Sequence, residues 1–193
     1  MNTLKVTIIG MAVVVLGLLQ MFPVHTQVSH KPFAIAPRSP LTPRKSVGVS
    51  IKGLRAFMQH VGRRESDGHY DAVNRFGMLG KYQFHPATLR SLGIDEDRAH
   101  FLASPALQDS AMRQYMRDNR TELRPLIRLY SGTVVHGVFV TESGILAAAH
   151  LAGTTGVLTF FHPERYAGKT RDANGTTVAM YMMKFAGYNL RGL

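Results

Sequence analysis

The run from Arg63 to Leu92, RRESDGHYDAVNRFGMLGKYQFHPATLRSL, sets one carboxylate, Glu65, directly before a density of glycines and aromatics found nowhere else in the chain. Ile51, Leu54, Met58 and Val61 recur at helical spacing, and a further step of four reaches Glu65. If the helix runs that far, the carboxyl sits on the apolar stripe. There it is costly to ionise, so its pKa is expected to rise toward neutrality, the condition for a general acid at physiological pH. The competing reading is that Gly62 ends the helix and Glu65 pairs with Arg63 or Arg64. Downstream, Tyr70, Phe76, Tyr82 and Phe84 alternate with polar groups, among them Gln83. Rings that stack on pyranose faces and amides that meet hydroxyls suit a sugar-binding groove, although aromatics more often fill cores.

Other chemistries find less support. The nine histidines show no metal-ligand spacing, and the absence of cysteine excludes disulfides and thiolate sites. There is no glycine-rich phosphate loop after a strand and no G-x-S-x-G elbow, so neither metal nor cofactor is expected. No nucleic-acid module is recognisable, and the basic residues are spread out instead of forming a stripe. Most glycoside hydrolases need two carboxylates. Asp67 and Asp71 lie nearest to Glu65 but share no helical register with it. Glu142 falls in the first turn of a later helix, where the macrodipole favours an anion, a plainer role than catalysis. His150, in the middle of that helix, reads either as a satisfied core histidine or as a groove residue. A lone carboxylate can still break a glycosidic bond if the substrate supplies its own nucleophile.

The chain of 193 residues is long enough for one domain with extensions. Residues 1–24 form the first part, with IIGMAVVVLGLL from Ile8 to Leu19 uninterruptedly apolar. That length suits a secretory signal, or a retained anchor if it extends toward Val24. Residues 25–49 are a basic linker with Pro32, Pro37, Pro40 and Pro43, where no packed element is expected. The folded domain is expected over residues 50–193, with Ser50 as the first N-cap. It should be mainly α. Short helices are predicted from His85-Pro86 to Leu92 and over 121–130. A core helix starts at Ser104-Pro105 and carries Leu107, Ala111, Met112, Tyr115 and Met116. A helix capped by Thr141 runs to Gly153, where an alanine run permits close packing, and two more lie near 156–161 and 177–185. TVVHGVFV, from Thr133 to Val140, reads as a short extended segment or loop. The net charge of +11 favours a polyanionic partner or serves solubility alone. Nothing in the sequence signals an oligomeric state.

Glu65-Ser66-Asp67-Gly68, then Asn74, Gly77, Gly80-Lys81-Tyr82-Gln83-Phe84 and Pro86-Ala87-Thr88-Leu89, resembles the lysozyme-like soluble lytic transglycosylases. Their Glu-Ser motif precedes a Gly-x-x-Gln motif and a Pro-x-Thr helix start. A third motif, Ala-Ala-Tyr-Asn-Ala-Gly, has its counterpart in Ala148-Ala149-His150-Leu151-Ala152-Gly153, with histidine and leucine where the family has tyrosine and asparagine. The resemblance spans roughly Leu54 to Gly153. It implies a mainly α, lysozyme-like domain with a substrate groove, acting on peptidoglycan glycan strands in the periplasm or cell envelope. It implies Glu65 as the single catalytic acid and base and Gln83 as a groove residue. Tyr82, Tyr70, His150 and Glu142 are candidates for positioning the substrate. The alternatives are a hydrolytic muramidase and a non-catalytic protein that binds the wall or serves envelope assembly.

Overall fold

The computed structural model describes residues 52–95 and 97–193. The expected signal or anchor over 1–24, the linker over 25–49, and Ser50 and Ile51 lie outside them. The described chain is mainly helical, as its periodicity implied. Its elements are α1 (Leu54–Ser66), α2 (Pro86–Ser91), α3 (Arg98–Leu102), α4 (Pro105–Glu122) and α5 (Arg124–Tyr130), then β1 (Val134–Val135), β2 (Val138–Phe139), α6 (Glu142–Phe161) and α7 (Val178–Lys184).

α6 is the central element, packed against α7 and α4. A helix apolar on every side belongs in a core, and Ile145 through Ala149 are all buried. Its length and composition would also allow a membrane crossing. The fold argues for a core helix, because Gly153 (φ 70°, ψ 171°) breaks it and its first half is enclosed. Thr141 caps it, its Oγ1 accepting from the Gly144 amide at 3.0 Å. A Cβ on Gly144 would stand 2.7 Å from the Met182 carbonyl, so α6 and α7 meet backbone to backbone there. The close approach that the alanine run suggested is therefore made at the glycine on its flank.

The stripe of α1 buries Phe57, Met58 and Val61 against this core, and α4 adds Ala111, Met112 and Met116. α1 starts at Leu54 with Gly53 in the N-cap position, which corrects the expectation of a start at Ser50. The segment TVVHGVFV is a two-residue-per-strand hairpin, with Val134 opposite Phe139 and Val135 opposite Val138. His136 (φ 49°) and Gly137 (φ 79°) form its turn, with the positive φ at both positions that a tight hairpin needs. The C-terminal segment returns to the start of the domain, where the Asn189 amide donates to the Lys52 carbonyl at 2.8 Å. Ser143, fully buried in α6, donates to the Phe185 carbonyl at 2.7 Å and accepts from the Tyr188 amide at 3.1 Å, which holds that return in place.

Candidate active site

α1 continues through Ser66, so Glu65 does sit on the last turn of its apolar stripe, half-buried. Asp67 in the left-handed region (φ 55°) and Gly68 then turn the chain away. The Ser66 hydroxyl reaches the Lys81 carbonyl at 2.9 Å and so ties the helix end to the glycine-rich loop. Arg64 is turned toward Thr176, donating to its Oγ1 at 3.3 Å. The pairing of Glu65 with a neighbouring arginine is thus not what the chain adopts. Its partner is Tyr181 of α7, whose hydroxyl donates to Glu65 Oε1 in a short hydrogen bond. Burial, then the charge of Glu65 and that hydrogen bond, push the Tyr181 hydroxyl well above its usual 10.0. It therefore stays protonated and remains a donor.

The loop after α1 is built to hold a shape. Leu79 and Phe84 exchange two backbone hydrogen bonds at 2.8 and 2.9 Å, which closes the turn between them. Within it Gly80 has φ 71° and Gln83 φ 51°. Gly80 has a second reason to be glycine, since a Cβ there would lie 2.1 Å from Gln108 Oε1. Gln108 is wholly buried in α4. Its Oε1 accepts from the Lys81 amide at 2.8 Å, and its Nε2 donates to the carbonyls of Tyr70 (2.8 Å) and Phe101 (2.9 Å). One amide side chain therefore satisfies three backbone groups, two of them buried, and fixes the loop onto the helices.

Glu65 opens into a cleft of about 320 Å³. From the loop come Asn74, Phe76, Met78, Gln83 and Phe84; His85 and Thr88 follow it; from α4 and α6 come Tyr115, His150 and Leu151; the turn Asp172–Asn174 also lines it. Phe84, Tyr115 and His150 stand edge to face around one another with ring centroids 5.7–5.8 Å apart. This arrangement suits aromatic quadrupoles and makes a firm floor. His150 Nε2 lies 2.8 Å from the Tyr82 carbonyl. A carbonyl can only accept, so that nitrogen carries the hydrogen, and the ring is oriented for groove duty. Gln83 Nε2 donates to the Gly80 carbonyl at 2.8 Å, so a ligand would meet its Oε1.

Of the six residues singled out in the sequence, the cleft gathers Glu65, Gln83 and His150. The other three stand elsewhere. Tyr82 has no exposed surface, and its hydroxyl donates to Asp109 Oδ1 at 2.6 Å. Burial and that bond raise its pKa, and it is a core residue. Tyr70 belongs to the same cluster, where Lys81 Nζ donates to its hydroxyl at 2.8 Å and lies 3.4 Å from Asp109. Lys81, nearly buried, lies between the two tyrosine rings, 4.6 and 5.0 Å from their centroids. Its stem crosses Gly62, where a Cβ would come within 2.7 Å of it. Glu142 lies in the first turn of α6, as expected, and accepts from Arg120 Nε at 2.6 Å, a pairing its position did not foretell.

Sequence reasoning missed Tyr181 and Asp172 as site residues. Tyr181 looks like one more apolar position of a short helix, and nothing local links it to a carboxylate 116 residues earlier. Asp172 was legible only as a turn residue. Its Oδ1 indeed accepts from the amides of Asn174 (2.9 Å) and Thr176 (2.7 Å), and the same turn places it on the cleft. Among the described residues no group of three histidines or carboxylates could hold a metal ion. No protein-family model, curated protein or solved structure matches the chain.

Proposed function

We propose that the protein cleaves the glycan strands of peptidoglycan as a lytic transglycosylase, with Glu65 as its acid and base. One observation carries the reading. A carboxyl on an apolar helix face, held by a protonated tyrosine, faces a cleft whose lining includes aromatic rings and amides, groups that suit a glycan. In this reaction protonated Glu65 gives its proton to the oxygen linking N-acetylmuramic acid to N-acetylglucosamine. The C1–O bond breaks and an oxocarbenium-like centre develops at C1. The Glu65 carboxylate then takes the proton of the muramoyl C6 hydroxyl as that oxygen bonds to C1 and closes a 1,6-anhydro ring. The proton that left Glu65 is replaced, no water is consumed, and no second carboxylate is needed. Tyr181 keeps the Glu65 carboxyl in one orientation through both halves of the cycle.

Asp172 gives a specific reason to consider a second reading. It lines the same cleft as Glu65, where Asp67 and Asp71 do not, and a second carboxylate is what a muramidase would use to orient an attacking water. The products separate the two. Purified peptidoglycan incubated with the full chain and analysed by mass spectrometry should yield muropeptides with 1,6-anhydro ends. Reducing ends in their place would make the protein a hydrolase, and intact glycan that remains bound would make it a wall-binding protein.

A further inference from the structure

Phe76 is a large aromatic with 54% of its surface exposed, and it lines the cleft that holds Glu65. The chain does not leave it there by default. Asn74 Oδ1 accepts from the amides of Phe76 (2.8 Å) and Met78 (3.1 Å), and the Gly77 amide donates back to the Asn74 carbonyl at 3.0 Å. Gly77 sits at φ 75°, with nothing near the position of a Cβ. The turn is thus braced by its own side chain and presents the ring outward. The Arg75 guanidinium lies over one face of the ring, 4.7 Å from its centroid, so a ligand would stack on the other face. Another part of the lining, Asp172–Asn174, is braced by the same device, with Asp172 Oδ1 holding two amides. The cleft wall therefore offers an apolar ring on a braced turn, together with a carboxylate and an amide on another.

We infer that Phe76 is the stacking platform of a sugar subsite, which takes one pyranose of a β-1,4-linked N-acetylhexosamine chain against its ring and meets the hydroxyls of that sugar with Asn174 and Asp172. This deepens the glycan-cleaving reading and rests on it. A pyranose has one face of C–H groups and an equatorial rim of hydroxyls, which match an exposed ring and polar groups respectively. A turn that is already braced loses little backbone freedom when the ligand arrives, so less of the contact is spent on ordering. The subsite governs how long a glycan must be to bind, not the bond-breaking step.

The test uses binding without turnover. Full-length protein carrying Glu65→Gln is titrated calorimetrically with chitotetraose, alone and combined with Phe76→Ala or Phe76→Trp. The chain has no tryptophan, so Phe76→Trp also introduces its one tryptophan, selectively excitable at long wavelength, at the platform. The expected result is an affinity lower by about tenfold for Phe76→Ala, the order of one lost aromatic contact. Phe76→Trp should keep or raise the affinity, and its emission should shift on saturation. Phe76→Ala binding as tightly as the parent, with no emission shift from Phe76→Trp, would overturn the subsite and leave the role of Glu65 standing. No oligosaccharide binding by the parent, with no peptidoglycan cleavage by the wild type, would overturn both.

Discussion

At the residue scale, the site depends on the pairing of Glu65 with Tyr181. Tyr181→Phe keeps the ring that fills the space beneath the carboxyl and removes only the donor. It should lower kcat for muropeptide release by about tenfold while changing KM and thermal unfolding little, the pattern of a group that orients another. An equal loss in KM would mean that Tyr181 touches the glycan instead. The same tyrosine has an alkaline signature. Burial raises the pKa of Tyr181 and of Tyr82 above the model-peptide value of 10.0, so the folded state binds these protons more tightly than the unfolded chain does. That stabilisation is complete below pH 10 and falls as pH climbs beyond it toward the folded values. Denaturation midpoints followed across that range should therefore drop, and less steeply in Tyr181→Phe. Absorbance titration should show these two among the tyrosines most resistant to ionisation before unfolding, with Tyr115, Tyr130 and Tyr188 also shifted upward by burial.

At the element scale, the loop of residues 70–84 is positioned by α4 as much as by α1. Gly80→Ala combines a left-handed backbone with a Cβ driven onto the buried Gln108 amide, and should cost about 2–4 kcal/mol in chemical denaturation. Gln108→Ala strands the Lys81 amide and the Tyr70 and Phe101 carbonyls, and should cost about 3 kcal/mol or more. Both changes should lower cleavage with stability, because the loop carries Gln83 and Phe76 into the cleft. This is also the scale at which the sequence speaks most plainly. Helix-start signals foretell α2, α4 and α7, periodicity without its cap foretells α1, and Gly153 ends its stretch of helix as its type suggests. The loop was readable as a punctuated, non-helical segment. Which of its side chains face the cleft was not, because a turn with positive φ at Gly80 and Gln83 has no fixed period from which to infer direction. Tyr82 and Gln83 are adjacent, and that backbone sends one into the core and the other to the groove. Tyr70 was misplaced for a related reason, since a buried lysine, Lys81, draws its hydroxyl into the Asp109 cluster.

At the scale of the whole molecule, the cleft is assembled from parts that lie far apart in the chain. Glu65 comes from α1, His150 from α6, and Asp172 from the turn before α7. Local sequence marks the first of these, and tertiary packing alone supplies the last. The formal charge of +11 acts over longer distances. If the anionic wall is the partner, sedimentation with purified sacculi should weaken as ionic strength rises from about 0.01 to about 1 M and the screening length shrinks from about 30 to about 3 Å. Binding indifferent to salt would assign the charge to solubility. The role of Glu65 is reached most directly by digesting purified peptidoglycan with wild type and Glu65→Gln side by side, both full-length and with matched thermal unfolding. Glutamine keeps the size and can still accept from Tyr181, so only the titrating proton is lost. Soluble muropeptides should appear with the wild type and fall by at least about 10²-fold with the variant. Equal release by the two proteins would contradict the account.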